Sequence, residues 1–242
     1  MRKIPYQATV RILDSVAFLN AERGVTFNGM ITVNFQQLGA KTEGDAKCIL
    51  TAMNEAVSKK LARFWQRDDV RFPYYFVYVH EDVTTSYGHH VHQLVCMPRY
   101  IGEFLDAWLK DWAMRRYGVP PEDKAIDYRG RYLRGDSERI EQQSNLLRYV
   151  LKSSSNCVIY TKEGMPTTLH TILNAERYPR AYCADVAKVT GMSQNLANRA
   201  QLDMGFQVPQ CLGSVFTNEH LQHWKYREHQ REWDLMIRGL TL

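Results

Sequence analysis

Two apolar segments separated by a short polar stretch are the feature that most constrains how this chain folds. Phe72–Glu81 is rich in aromatic and β-branched residues, and His89–Met97 follows it after the polar residues 82–88. Segments of this composition on either side of a polar turn are typical of antiparallel β-hairpins. Pro98 ends the second segment, since proline cannot donate a ladder hydrogen bond. We therefore predict an antiparallel hairpin here.

The remainder of residues 1–160 alternates between helical and strand patterns. Apolar residues recur every three or four positions in some segments and every second position in others. The first pattern predicts helices over 8–20, 44–67, 100–117 and 138–153, and the second predicts strands over 29–35 and 125–133. This order predicts an α+β domain whose mostly antiparallel central sheet is flanked by helices.

Beyond a soft boundary near residue 160 the pattern changes to helical pieces and short polar loops. We therefore predict a helical C-terminal region over 161–242. Within it, residues 184–200 are interpreted as two helices, with a turn at Gly191 and a helix N-cap at Ser193. Such a pattern predicts either a packed helical hairpin, the commoner outcome, or a helix-turn-helix that binds duplex DNA.

Composition narrows the class of protein. The chain of 242 residues carries a formal charge of +5, which permits a nucleic-acid partner without requiring one. Its five cysteines are widely spaced with no C-x-x-C pair, which indicates reduced thiols and a cytoplasmic protein. No apolar run approaches the roughly 18 residues that span a bilayer, and no signal-peptide pattern follows Met1. We expect no membrane partner.

A histidine pair in the second hairpin strand suggests a metal site. His90 and His92 are two residues apart, so a strand directs both imidazoles to one face, where they are either metal ligands or ordinary surface histidines. The partner strand ends in three residues that could add a ligand. Glu81 is the preferred third ligand, with His80 and Asp82 as alternatives, because hairpin register cannot be determined from sequence. A set of two nitrogens and one oxygen suits Mg²⁺ or Mn²⁺ in phosphate chemistry, and also zinc.

A tyrosine and a lysine lie away from the apolar side of the predicted helix over 138–153. At about 100° per residue, Tyr149 and Lys152 fall opposite the stripe formed by the neighbouring leucines and Val150. A tyrosine can attack phosphorus covalently, and a nearby ammonium stabilises negative charge. The alternative is an exposed tyrosine beside a solvated lysine.

Taken together, these features resemble the HUH endonucleases, in particular the single-tyrosine replication initiators. The strand Ile31–Phe35 stands where that family has its first motif, and the His90–His92 segment has its His-hydrophobic-His form. Tyr149 and Lys152 have the family's Y-x-x-K form. The resemblance covers residues 27–155, so that residues 1–160 would form an HUH-type nuclease domain.

The resemblance implies a metal-dependent endonuclease that nicks and rejoins single-stranded DNA through a phosphotyrosine, leaving a free 3′-hydroxyl. His90, His92 and Glu81 would hold Mg²⁺ or Mn²⁺, Tyr149 would attack, and Lys152 would assist. The protein would start rolling-circle replication at the origin of a plasmid or phage. Because no nucleotide-binding motif G-x-x-x-x-G-K-[ST] is present, a host helicase and polymerase would act with it.

Residues 128–134 suggest a path for DNA. Strand alternation places Arg129 and Arg131 on one face, where they would contact phosphates, and Tyr128 and Tyr132 on the other, where they would stack on bases. An edge strand with solvated charges is the alternative. Two tyrosines of this segment and Tyr160 are also rival nucleophiles.

Two other functions remain open at this stage. The first is a non-catalytic DNA-binding module or repressor of the same fold, and the second is a metal hydrolase acting on small molecules. The joint presence of His90, His92 and Tyr149 favours the enzyme over the binding module. A small-molecule hydrolase would give the pair of Tyr149 and Lys152 no special place.

Overall fold

The protein is described by a computed structural model. It describes residues 2–64, 73–83, 88–133, 135–160, 164–178, 182–207 and 212–216. The helices are α1 Tyr6–Arg23, α2 Glu43–Phe64, α3 Arg99–Tyr117, α4 Asp136–Val150, α5 Leu169–Leu173 and α6 Asn198–Asp203. The strands are β1 Gly29–Asn34, β2 Phe76–Val83, β3 Gly88–Val95, β4 Ile126–Gly130, β5 Val158–Tyr160, β6 Pro166–Thr168 and β7 Thr190–Met192.

The centre of the fold is a five-stranded sheet in the order β4-β1-β3-β2-β7, in which every neighbouring pair is antiparallel. This confirms the predicted α+β class and the hairpin, which is formed by β2 and β3. The hairpin register pairs Glu81 with His90 and Val79 with His92. Residues 84–87 of the predicted turn lie outside the described residues.

Helices cover the sheet from both sides. On one side, Asn54 of α2 accepts a hydrogen bond from the Gln93 side chain, and Gly102 of α3 lies against Tyr128 and Tyr132. Gly102 allows this approach because any Cβ there would overlap the Tyr132 hydroxyl. On the other side, α4 packs against the face that carries His90 and His92, as the contact of Tyr149 with His92 shows, and Ser15 of α1 contacts Met192 of β7. That second face holds the candidate site.

Residues 184–200, all of which the structure describes, do not form the two helices predicted for them, whether as a packed helical hairpin or as a helix-turn-helix. Within 184–200, Thr190–Met192 is a strand that pairs with β2 at the sheet edge, Gln194–Leu196 is a single 3-10 turn, and only α6 is helical. Gly191 lies opposite Tyr78, whose ring and hydroxyl would overlap any Cβ at that position. The glycine therefore permits close packing in a strand and does not make the turn between two helices.

The predicted helical C-terminal region is a mixture where it is described. Besides α5 and α6 it contains β6, which pairs with β5, and β7 of the central sheet. The sheet thus takes strands from both sides of the boundary predicted near residue 160. The prediction for residues 217–242 lies outside the described part of the chain.

The first residues tie distant parts of the chain together. The Ile4 amide donates to the Ser153 carbonyl at 2.9 Å, and the Ser155 amide donates to the Ile4 carbonyl at 2.8 Å. Cys183 forms isolated β-bridges with both Arg2 and Glu81. Residues 2–5 therefore hold the segment that follows α4 and a segment beside β2.

Two further expectations concern thiols and membranes. Cysteines 48, 96, 157 and 183 are all free thiols. None of the helices in the described part of the chain is long and apolar enough to cross a membrane.

Candidate metal centre and its cleft

Glu81, His90 and His92 converge on one point of the sheet. Strand alternation places the two histidines on the same face of β3, and the hairpin register sets Glu81 directly beside His90. The two imidazole Nε2 atoms lie 3.2 Å apart, and Glu81 Oε2 lies 3.6 Å from that of His90 and 3.5 Å from that of His92. All three residues are buried. Among the described residues, this is the group of acidic, histidine or cysteine side chains that could hold a metal ion.

The other ring nitrogen of each histidine has a fixed partner. His90 Nδ1 donates to the Gly88 carbonyl at 3.0 Å, and His92 Nδ1 pairs with the Thr32 hydroxyl at 3.0 Å. A histidine whose Nδ1 carries the proton presents the Nε2 lone pair, and such outer partners orient metal-binding imidazoles. The backbone of β3 and the side chain from β1 therefore direct both Nε2 atoms to the shared point.

The charges also suit a divalent cation. Burial alone would raise the pKa of Glu81, but its contacts with His90 and His92 and the positive charge of Lys152 outweigh burial and hold that pKa below its ordinary value. Burial lowers the pKa of His92, although Glu81 opposes it. The group is thus a carboxylate with a neutral imidazole. Glu81 Oε1 is buried without a hydrogen-bond partner, an unsatisfied oxygen that a cation would satisfy.

Lys152 and Tyr149 stand next to this group. Lys152 Nζ donates to Glu81 Oε2 at 2.8 Å and lies 3.7 Å from the centroid of the Tyr149 ring. The Tyr149 ring meets the His92 ring edge-on at 5.1 Å. The predicted helix over 138–153 included Lys152. Helix α4 instead ends at Val150, so Lys152 lies in the turn that follows it. The turn brings the ammonium back over Tyr149.

The two residues form a pair in which Lys152 is buried and Tyr149 is half-buried. Burial, and next the charge of Glu81, raise the pKa of Tyr149, which therefore carries its proton at neutral pH. Burial lowers the pKa of Lys152, although the Glu81 carboxylate opposes this. Tyr149 thus becomes a good nucleophile only when negative charge on its oxygen is offset.

The site lines a cleft of about 900 Å³. Arg129 reaches into it and pairs with Asp127 at 2.7 Å, so its charge is partly offset. Tyr178 and Tyr182, which the sequence analysis did not single out, form part of its wall. The lining residues further include Met30, Thr32, Asn34, Gln37, Asp82, Asp123 and Lys124.

The alternative ligands lie elsewhere. His80 projects from the opposite face of β2, where its Nδ1 pairs with His89 Nε2 at 3.0 Å. Asp82 is exposed at the cleft rim and is not a member of the group that could hold a metal. Of the three acidic or histidine candidates on β2, only Glu81 stands beside His90 and His92.

The predicted DNA-contacting residues divide between two sides of the sheet. Arg129 and Arg131 border the cleft side, as the alternation predicted. Tyr128 and Tyr132 lie on the α3 side, and their hydroxyls bond to each other at 2.7 Å. Only 6% of Tyr128 is exposed, so it packs in the core. The prediction that its ring stacks on bases is therefore wrong. Tyr160, a rival nucleophile, is exposed on β5, outside the residues that line the cleft.

Comparison of the chain with protein-family models, with curated proteins and with solved structures finds no match. The α+β sheet and the Glu81–His90–His92 group are compatible with the HUH fold. Function is therefore argued from the chemistry of the site alone.

Proposed function

We propose that the protein is a metal-dependent endonuclease that nicks and rejoins single-stranded DNA through Tyr149. One observation carries the proposal: a candidate nucleophile, a lysine and a metal-binding group share one cleft, with the Tyr149 ring 5.1 Å from His92 and 3.7 Å from Lys152 Nζ. Core packing alone does not explain why the Tyr149 ring has a buried ammonium on its face and a metal-binding group at its edge.

In the proposed reaction, the Tyr149 oxygen attacks the phosphorus of a phosphodiester lying in the cleft. A bond forms between that oxygen and phosphorus, and the bond from phosphorus to the 3′-oxygen breaks. The phenol loses its proton to solvent, and the departing 3′-oxygen takes one up. The DNA is left with a 3′-hydroxyl and a 5′-phosphate on Tyr149, and attack by a 3′-hydroxyl reverses the step.

Each neighbouring residue has a definite task in this scheme. Glu81, His90 and His92 would hold a divalent cation, Mg²⁺ or Mn²⁺, which when bound supplies positive charge to polarise the phosphate. Lys152 stands over the Tyr149 ring and stabilises negative charge on the phenol oxygen and the phosphate. Thr32 and the Gly88 carbonyl keep the two imidazoles in place.

The strand-joining chemistry fits an initiator of rolling-circle replication on a plasmid or phage. A nick with a free 3′-hydroxyl gives a polymerase its primer, and the retained phosphotyrosine allows later rejoining. The chain has no nucleotide-binding motif of its own, so a host helicase would open the origin.

The decisive experiment is incubation with single-stranded oligonucleotides and Mn²⁺, followed by a denaturing gel that detects a covalent protein–DNA adduct. We expect the wild-type protein to form the adduct and Tyr149→Phe to form none, with DNA affinity nearly unchanged. Tyr160→Phe, which removes an exposed hydroxyl outside the cleft, is the matched control and keeps full activity. An adduct formed by Tyr149→Phe would place the nucleophile elsewhere.

A cleft of this size also favours a second candidate, a metal hydrolase acting on small phosphodiesters. The same variant separates the two. A hydrolase that uses metal-activated water keeps its turnover of a chromogenic phosphodiester when Tyr149 becomes Phe, whereas the nicking enzyme loses its adduct. DNA binding without cleavage by the wild-type protein would support the binding module instead.

A further inference from the structure

We propose that a hollow beside the metal cleft binds the unpaired base of the nucleotide next to the phosphate that Tyr149 attacks; this base subsite rests on the proposed function. The hollow measures about 560 Å³ and shares Arg129, Tyr149 and Tyr178 with the metal cleft. A DNA strand that passes Tyr149 therefore enters this hollow directly. The base subsite is defined by Leu133, Asn145, Leu146, Tyr149, Tyr178 and, at its rim, Arg131.

The walls of the base subsite suit a flat aromatic ligand. The Tyr178 ring stands at 86° to the Tyr149 ring, with centroids 5.9 Å apart, so the two rings form a corner. Leu133 and Leu146 are half-buried and add apolar surface. Bases without a pairing partner stack on aromatic side chains with little dependence on sequence. Because Tyr149 is the proposed nucleophile, Tyr178 is the ring that remains available for stacking on a base.

A polar group is placed to contact the edge of such a base. Asn145 lies one helical turn before Tyr149 on α4, is exposed, and makes no hydrogen bond with the described part of the chain. Its amide can donate and accept at once, as base edges require. By contrast, Gln142, one turn away, donates to the Asn28 carbonyl at 2.8 Å and so serves the fold.

The two arginines differ in a way that fits a strand crossing the rim. Arg129 is paired with Asp127, whereas Arg131 is exposed and has no ion-pair partner among the described residues. Glu138 and Glu141 line the same hollow without pairing with Arg131, so the Arg131 guanidinium can contact the phosphate that follows the bound base. In this arrangement Tyr178 and Asn145 contact the base and Arg131 contacts the backbone.

The test separates base contacts from backbone contacts. A fluorescein-labelled oligothymidine strand and an abasic strand of equal length are titrated with protein, without divalent metal, and binding is followed by anisotropy. All proteins carry Tyr149→Phe, so that no strand is cut. Tyr178→Leu should weaken binding of oligothymidine about tenfold and leave abasic binding unchanged, because only stacking is lost. Tyr178→Phe should keep the affinity, and Tyr160→Leu is the matched control outside the base subsite.

Two further variants complete the experiment. Arg131→Ala should weaken binding of both strands equally, and Asn145→Ala, an exposed change that leaves the fold intact, should alter the order of affinity among the four homopolymers. The base subsite is overturned if Tyr178→Leu weakens both strands equally or neither. Should Tyr178→Leu unfold, an unaltered homopolymer order in Asn145→Ala overturns it. These binding results do not depend on cleavage, so failure of the wild-type adduct reports separately on the proposed function.

Discussion

The two faces of the β2–β3 hairpin each carry a close pair of histidines, and the pairs differ in their surroundings. On the cleft face, His90 and His92 present Nε2 atoms 3.2 Å apart. On the opposite face, the nearest ring nitrogens of His80 and His89 are 3.0 Å apart. Judged by nitrogen separation alone, the pairs are equivalent.

What separates the pairs is what lies around the nitrogens. In each pair the facing ring nitrogens lie within hydrogen-bonding distance, and around His80 and His89 the Phe35 ring packs against both at centroid distances of 5.6 and 4.9 Å. On the cleft face, Glu81 adds a carboxylate with an unsatisfied oxygen, and the outer nitrogens have partners of their own. A histidine pair therefore indicates a metal site when a carboxylate joins it and outer partners turn both inner nitrogens toward that carboxylate.

The largest effect is expected from removing the cleft-face pair. The double variant His90→Ala, His92→Ala loses two of three donor groups, so affinity for Mn²⁺ should fall at least about hundredfold, and cleavage should vanish. His89→Gln on the opposite face is the control and should bind one Mn²⁺ normally. Isothermal titration calorimetry measures both. Equal losses of Mn²⁺ affinity in the two variants would contradict the assignment of the metal site to the cleft face.

An intermediate effect is expected from Lys152→Met in metal-free protein. The change leaves the buried Glu81 carboxylate without its 2.8 Å partner, which should cost about 3 kcal/mol in free energy of unfolding. Added Mn²⁺ should restore more stability to this variant than to wild type, since the cation then compensates the carboxylate. Urea denaturation with and without EDTA measures this, with the exposed Lys47→Met as control. An unchanged midpoint in EDTA would show that the ion pair contributes nothing.

The smallest effect concerns the opposite face and pH. Burial, and then the charges of His89 and His90, lower the pKa of His80 from 6.5 to about 3. Between these values the unfolded chain binds a proton that the folded protein does not, so His80 makes the fold less stable as pH falls below 6.5, by about 2 kcal/mol at pH 5.

His80→Phe keeps an aromatic ring at that position and removes the titration. We expect its stability to fall less between pH 7.5 and pH 5 than that of the wild-type protein, both measured without metal. At pH 7.5 the His80 side chain of the folded wild-type protein is neutral, as the phenylalanine side chain is. The difference in free energy of unfolding between the two proteins at that pH therefore gives the packing cost alone. Parallel pH profiles would show that His80 does not contribute to the acid sensitivity.

The cleft-face site was largely predictable because it depends on local geometry. Period-two alternation along β3 sets His90 and His92 on one face, and the short hairpin brings Glu81 beside them. Sequence could not choose among the three β2 candidates, since a shift of one residue would have exchanged Glu81 for His80 or Asp82. Sequence spacing suggested that Lys152 accompanies Tyr149, but the contact is made by the turn after α4 and not by the helix.

Other parts depend on contacts between distant residues, which sequence patterns do not show. β7 is three residues long, and its pairing with β2 depends on Gly191 fitting the Tyr78 ring, a signal that is easily taken for a turn. Tyr178 and Tyr182 reach the cleft from far along the chain with no local pattern to mark them. Tyr128 alternated as predicted, but the face it shares with α3 turned out to be core.

The bridges from residues 2–5 and Cys183 bear on how the protein matures during synthesis. Glu81 is joined through Cys183 to Arg2, and Ile4 is joined to the three serines that follow Lys152. During translation, the hairpin leaves the ribosome long before residue 183 does. A nascent chain therefore carries both histidines early, yet cannot complete their surroundings until most of the protein has emerged. A half-made chain therefore holds the two histidines without the finished cleft around them.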